Sequence, residues 1–360
     1  MENLELSAAF WKDKRVLVTG HTGFKGSWLS LWLKQLGANV AGYSLAPDTE
    51  PNLFTVADVA SVVHSEFGDI RDLDSLRTFA TAFNPDIIIH MAAQALVRPS
   101  YDDPVETYST NVMGTVNVLE AARACSSLKA IVNVTTDKCY ENRERPEGYR
   151  EDEAMGGYDP YSSSKGCAEL VTSAYRRSFF TGDRSAALAS ARAGNVIGGG
   201  DWAVDRLIPD IMQSFIDGTP AGIRNPASVR PWQHVLEPLH GYLLLAEKMC
   251  TDAEFAGGWN FGPQDDDAQP VAWLADRLVS LWGNRASWQD LSDDTQPHEA
   301  SFLKLDITKA TTKLGWQPKL NLDSALKWTV EWYLCFQNGG DVRALTEQQI
   351  ANFTFGKNFN

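Results

Sequence analysis

In Tyr161-Ser-Ser-Ser-Lys165 a phenol and an amine stand four residues apart, so they share one face if the segment is helical. An ammonium beside a phenol favours the phenolate and lowers the tyrosine pKa, which suits acid/base work near neutral pH. Tyr-x-x-x-Lys is common by chance. It gains weight here because it follows an apolar run ending Thr135-Thr136-Asp137-Lys138, where the Thr136 hydroxyl can join the pair. Asp137 and Lys138 bring a carboxyl and a second amine to the same strand end. Asp137 can donate a proton at neutral pH only if burial raises its pKa. Lys138 can accept one only if its pKa is depressed; otherwise it simply pairs with Asp137 or a substrate oxygen.

A second constellation lies near the start, in Gly20-His21-Thr22-Gly23-Phe24-Lys25-Gly26. Glycines at this spacing, after a strand and before a helix, let the backbone turn tightly under a pyrophosphate, which the helix N-terminus attracts. Lys25 can add positive charge beside phosphates, although lysines are usually solvated. The second apolar run ends Gly42-Tyr43-Ser44, without the acid that binds the adenosine ribose of NAD and without an arginine suited to NADP. Asp69 is a candidate for an adenine contact, or else the approach to a helix capped by Asp72.

The elements that must position these groups alternate. Strands are expected at 15–19, 39–44, 60–66, 86–91, 129–135 and 186–192, and helices at 27–35, 72–83, 104–124 and 161–180. The alternation predicts an α/β fold: a Rossmann-like, doubly wound parallel sheet. After Ala193, Gly198-Gly199-Gly200 and several prolines shorten the elements. Residues 1–192 therefore read as the dinucleotide-binding domain. Residues 193–360 read as mainly a smaller substrate domain, with a return to the first near 235–250.

Composition excludes several classes. The 360 residues carry a net charge of −14, so nucleic acid is a poor partner and an anionic substrate needs a local cationic pocket. No apolar run reaches membrane-span length and the first ten residues do not resemble a secretion signal. Five scattered cysteines lack metal-site or CxxC spacing, which fits reduced thiols in the cytoplasm and no metal centre. The 12 tryptophans read as packing residues.

The Gly20–Gly26 loop, His90-Met91-Ala92-Ala93, Asn111, Thr136 and Tyr161–Lys165 together resemble the extended short-chain dehydrogenase/reductases over nearly the whole chain. Asn195-Val196-Ile197-Gly198, Arg230 and Leu314-Gly315-Trp316 resemble the branch that acts on nucleotide sugars. The resemblance implies bound NAD, held by Gly20, His21, Gly23, Phe24, Lys25, Gly26, Asp69, Ile70, Ala92, Tyr161 and Lys165. It implies Gln94, Ser100, Asn111 and Asn195 along the cofactor or sugar. Arg206 and Arg230 are candidates for the substrate pyrophosphate, since guanidinium binds phosphate bidentately, with Arg230 preferred for its loop-like setting. His298 and Glu299 fall in a matching segment without an assignable role.

Asp-Lys after the threonine, with His21–Gly26 and Gly199-Gly200-Asp201-Trp202, resembles the 4,6-dehydratases, and among them those that act on CDP-glucose. In that scheme Tyr161 takes the C4 hydroxyl proton, Asp137 protonates the departing C6 hydroxyl and Lys138 removes the C5 proton. A nucleotide-sugar 4-epimerase would need Thr136, Tyr161 and Lys165 but not Asp137 and Lys138. A catalytically silent NAD-binding protein would need none of them. The resemblance further implies a cytoplasmic homodimer (or a tetramer), paired through helices 104–124 and 161–180, making deoxysugars for a surface polysaccharide such as lipopolysaccharide O-antigen.

Overall fold

The computed structural model describes residues 5–182, 185–283, 286–292 and 303–356. His298 and Glu299 lie outside them. Strand β1 (Arg15–Thr19) leads through the glycine loop into helix α1 (Phe24–Gln35), and β2 (Asn39–Ser44) follows. Next come β3 (His64–Phe67), α2 (Leu73–Phe83) and β4 (Ile87–His90). Asp72 caps α2, its carboxylate accepting the Ser75 N–H at 3.1 Å, as helix-start chemistry predicts.

The long helix expected at 104–124 is interrupted. Helix α3 (Pro104–Tyr108) runs into a π turn (Ser109–Met113) and then α4 (Gly114–Arg123). Strand β5 (Ala130–Val134), helix α5 (Pro160–Ser178) and β6 (Ala187–Ala193) complete the first half. Beyond them lie β7 (Asn195–Ile197), α6 (Leu207–Ile216), β8 (Ala221–Ile223), β9 (Val229–His234), α7 (Leu236–Met249) and β10 (Gly258–Phe261). Among the described residues the chain ends with α8 (Val271–Trp282), α9 (Leu322–Gln337) and α10 (Val342–Phe355).

The main sheet is parallel, in the order β10-β6-β5-β4-β1-β2-β3. This is the expected Rossmann-like order with one strand more. β10 pairs with β6, Gly258 opposite Ser190 and Phe261 opposite Ala193, so the chain crosses back into the sheet long after residue 192. Helix α7 packs on β5 and β6. A single apolar core contains Val16 and Trp28 together with Leu243, Trp316 and Tyr333. The same core takes in Ile197 of β7 and Trp232 of β9. β3 begins four residues later than expected, because Val59–Ser61 form a 3-10 turn. It is an edge strand with mostly exposed side chains, so its sequence lacks the continuous apolar run of a central strand.

Candidate active site

Parallel strands gather their C-terminal ends on one side, which is where ligands of open α/β sheets bind. β5 is buried along its length and delivers Thr135 and Thr136 to that edge. Thr136 caps a short 3-10 turn, Asp137–Cys139. Helix α5 starts beside it, with Asp159 capping through the Ser162 N–H and Pro160 in the first turn. Tyr161 and Lys165 then lie on the buried face of α5. The Tyr161 N–H donates to Ser100 Oγ at 3.1 Å, which fixes the helix start against the short helix Val97–Asp102.

The structure brings Thr136, Asp137, Tyr161 and Lys165 together. The Thr136 hydroxyl favours the ionised form of the Tyr161 phenol. The Thr136 hydroxyl donates to Asp137 Oδ1 at 3.0 Å. Lys165 Nζ donates to the Val134 carbonyl at 3.4 Å, and burial lowers its pKa to about 8. Burial raises the Asp137 carboxyl above its ordinary value; Lys138, Thr136 and Arg230 pull the other way without reversing it. A Cβ on Gly194 would stand 2.8 Å from Asp137 Oδ2, so a glycine there makes room for the carboxyl. A cavity lined by Asp137, Gly194, Pro231, Gln264, Lys304 and Leu305 reaches the same group. Lys138 is half-buried, with its N–H on Thr136 Oγ1 at 3.4 Å.

One expectation fails. The Tyr161 phenol is not lowered but pushed up to about 12. Desolvation dominates, and the Thr136 hydroxyl and the Arg206 charge offset only part of it. The tyrosine of the protein alone is therefore a proton donor at neutral pH. Its use as a base depends on positive charge brought to its hydroxyl.

The cofactor-loop residues divide by what their side chains do. Gly20 has φ +77°, and a Cβ on it would stand 2.7 Å from the Ala92 nitrogen. A Cβ on Gly26 would stand 2.0 Å from the Gly20 oxygen. Only glycines let the loop draw this close to the strand ends. Gly23 is exposed, begins α1, and has no side chain capping the helix. The turn thus presents backbone N–H groups in the arrangement that holds a pyrophosphate, and the residues present fit a dinucleotide. Half-buried Lys25 stands nearby, its pKa lowered to about 7 by burial and by repulsion from Arg206 and Lys165.

The His21 imidazole turns the other way. Its Nε2 bonds Ser65 Oγ at 2.7 Å and its ring lies where a Cβ on Gly42 would be. At the end of β2 the Thr22 hydroxyl pairs with Ser44 Oγ at 2.8 Å, occupying the place of the missing acid. The Asp69 carboxylate is engaged by Arg71 at 2.6 Å. Ile70 is buried against Gly114.

The expected substrate residues also divide. The Gln94 and Asn111 side chains are used inside the protein. Gln94 Nε2 donates to the Leu96 carbonyl and to Thr107, and its Oε1 accepts the Leu96 N–H. Asn111, in the π turn, accepts the Gln94 N–H and donates to the Gln94 carbonyl and to Ser164 Oγ. It fastens the loop after β4 to the helix of Tyr161, a setting common for π turns. Asn195 donates to the Pro231 carbonyl at 3.3 Å, tying β7 to β9. Arg206 is paired with Asp201 at 3.0 Å, and its charge acts on Tyr161 and Lys25. The Arg230 charge acts on Asp137. Lys25, Lys165, Arg206 and Arg230 therefore form the cationic centre that a chain of net charge −14 needs if its substrate is anionic.

Sequence reasoning missed Glu169 and Arg192, a buried ion pair 2.8 Å long directly behind the site. Two signals were available. Glu169 continues the i, i+4 spacing of Tyr161 and Lys165, and Arg192 is the one charge in the buried strand Ala-Leu-Ala-Ser-Ala-Arg-Ala.

The family model described as GDP-mannose 4,6 dehydratase matches residues 17–329. The CDP-glucose 4,6-dehydratase of Salmonella typhimurium is 54% identical over 349 residues, 96% of this chain and 97% of that protein. The structure of DesIV, a dTDP-glucose 4,6-dehydratase from Streptomyces venezuelae solved with NAD, superposes with a TM-score of 0.76 at 25% identity, covering 91% of this chain and 98% of that one. A UDP-glucose 4-epimerase from Thermotoga maritima shares the fold, with a TM-score of 0.77 at 22% identity over 89% of this chain and 99% of its own.

Proposed function

The chain belongs to the GDP-mannose 4,6 dehydratase family, and within it we propose that this protein removes water from CDP-glucose to leave CDP-4-dehydro-6-deoxy-glucose. The reaction rests on one observation: a buried carboxyl with a raised pKa, Asp137, stands beside the hydroxyls of Thr136 and Tyr161. An epimerase needs no such acid. The choice of cytosine as base rests on likeness to the Salmonella enzyme.

NAD+, when bound on the Gly20–Gly26 loop, supplies the hydride acceptor for C4 and the donor for C6. The residues divide the proton work. Tyr161 takes the C4 hydroxyl proton, with the Thr136 hydroxyl and the Arg206 charge favouring its ionised form and Lys165 one turn further along α5. The resulting ketone acidifies C5–H. Lys138, on the turn beside Asp137, takes that proton. Asp137 gives its own to the C6 hydroxyl as water departs, a role that its desolvation favours. Arg230, and Arg206 where its bond to Asp201 allows, neutralise the substrate pyrophosphate.

The assignments of residues 1–192 to the cofactor and 193–360 mainly to the nucleotide sugar belong to the same reading. So does a homodimer. Helix α3, the π turn after it and α5 pack side by side and expose Val105, Tyr108, Met113 and Leu170, apolar groups that a partner's matching helices would cover. No helix among the described residues is long and apolar enough to cross a membrane. We place the enzyme in the cytoplasm, where its five free cysteines stay reduced, supplying deoxysugar for a surface polysaccharide.

Proton NMR of the protein with NAD+ and CDP-glucose in D2O tests the reading. A 4-keto-6-deoxy product carrying deuterium at C5 is expected. Turnover of a different nucleotide sugar would replace the substrate, and a C4 epimer formed without loss of water would remove the roles of Asp137 and Lys138.

A further inference from the structure

Asp137 and Lys138 stand on a segment whose two ends reach the same buried ion pair. At the near end, Thr135 Oγ1 donates to Glu169 Oε1 at 2.5 Å. At the far end, Arg192 Nη1 donates to the Tyr140 hydroxyl at 2.5 Å. Glu169 and Arg192 are joined by two hydrogen bonds, Nε to Oε1 at 2.9 Å and Nη2 to Oε2 at 2.8 Å. Ser190 adds a donor to Glu169 at 2.6 Å.

The far end is anchored further. Tyr140 donates to Asn260 Oδ1 at 2.8 Å, and Asn260 donates to the Tyr149 carbonyl at 2.8 Å. Asn260 belongs to β10, the strand that returns to the sheet. Every side chain in this chain of contacts is buried. Burial works against the Glu169 charge, yet Arg192, Ser190 and Thr135 hold its carboxyl below the ordinary range, so the pair is ionised. Ionised pairs cost desolvation, and apolar residues of equal size often stabilise as well. A charged pair with this pattern of bonds has a positional use that apolar packing lacks.

We propose that the Glu169–Arg192 pair is a clamp that positions the elimination residues, with Thr135 setting the end that carries Thr136 and Tyr140 setting the turn that carries Asp137 and Lys138. Glu169, Arg192, Thr135 and Tyr140 are positioning residues; none of them has to touch the sugar. The inference rests on the dehydratase reading above. It assigns the two ends to different half-reactions. Loosening the Thr135 end displaces Thr136 and harms oxidation at C4. Loosening the Tyr140 end displaces Asp137 and Lys138 and harms loss of water. Misplacement by about 1 Å costs a reacting group on the order of 100-fold.

Two mild variants, Tyr140→Phe and Thr135→Val, test this in the full-length protein loaded with NAD+ and CDP-glucose. Rapid mixing follows reduced nicotinamide by its near-ultraviolet absorbance and product by quenched NMR. Tyr140→Phe is expected to slow product formation by about 10- to 100-fold while transient reduction stays within about twofold, so that reduced cofactor accumulates. Thr135→Val is expected to slow reduction itself, without accumulation, and Thr135→Ser to restore it. Hydrogen exchange in the ligand-free protein gives an independent readout: the 137–139 amides should exchange about tenfold faster in Tyr140→Phe.

Unchanged exchange at 137–139 in Tyr140→Phe overturns the clamp. So does faster exchange with undiminished product formation, or an equal fall of both half-reactions in both variants. If the unaltered protein fails to dehydrate CDP-glucose, the functional reading falls, and the exchange result alone then decides the clamp.

Discussion

Glu237 is fully buried in the first turn of α7, and replacing it by glutamine should make the protein more stable as pH rises. Its Oε1 accepts the Lys319 and Leu320 N–H groups at 2.9 and 2.6 Å, while Oε2 has no hydrogen-bond partner. Burial raises its pKa from 4.5 to about 8 against the pull of those two N–H groups and the Lys319 charge. The folded protein therefore keeps the Glu237 proton through a range in which the unfolded chain has lost it. Unfolding releases a proton there, so this group makes stability fall as pH rises from about 4.5 to about 8. Below that window both states are protonated and the effect vanishes; above it both are ionised and the loss is complete. At neutral pH the window is crossed by about 2.5 pH units, which at about 1.36 kcal/mol each amounts to about 3 kcal/mol. Glutamine keeps the acceptor for Lys319 and Leu320 without the charge. Melting temperatures of the two proteins, measured from about pH 5 to about pH 8, should diverge steadily, with Glu237→Gln the higher. A difference that stays constant or shrinks as pH rises would refute the reasoning.

Gly26→Ala puts a Cβ 2.0 Å from the Gly20 oxygen and should weaken NAD+ binding by about tenfold or more, read by cofactor titration. Gly23→Ala meets only the Gly20 oxygen at 3.5 Å and should leave the melting temperature unchanged. Asp137→Asn should reduce water loss by about 100-fold or more while C4 oxidation continues, and Lys138→Ala should abolish deuterium entry at C5; elimination at full speed in Lys138→Ala would remove it as the base. Met113→Asp with Leu170→Asp places charges on the exposed apolar groups of the π turn and of α5 and should yield monomers by sedimentation.

Five of the six expected strands were legible because central parallel strands are apolar runs ended by turn residues, as in Ile87–His90 and Ala130–Val134, whereas the exposed edge strand β3 was placed too early. β10 was not legible. Gly-Trp-Asn-Phe is short, and more than sixty residues of other structure separate it from β6, so nothing local marks it as a neighbour. The π turn at Ser109–Met113 carries no proline or glycine pair to announce it, and its consequence, Asn111 turned onto Gln94 and Ser164, arises from tertiary contacts. At the site, spacing foretold that Tyr161 and Lys165 would share a face. It could not foretell the balance of charge and desolvation at Tyr161, because that depends on where the Lys165 amine finally points. The direction of the His21 ring was illegible for a similar reason. Its place in the loop says nothing about the space that Gly42 leaves on the neighbouring strand.

The packing of α10 on α1 has a meaning for synthesis. Phe353 stands edge-on to Trp32 at 5.6 Å, so the last described helix covers one of the first. A ribosome makes Trp32 early and Phe353 more than three hundred residues later. Throughout that interval the emerging chain carries part of the apolar face of α1 without its cover, and for more than sixty residues of it strand β6 waits for β10. The finished core therefore needs residues more than three hundred positions apart in the sequence. A fragment that stops before β10 leaves the β6 edge and part of the α1 face uncovered and is expected to aggregate.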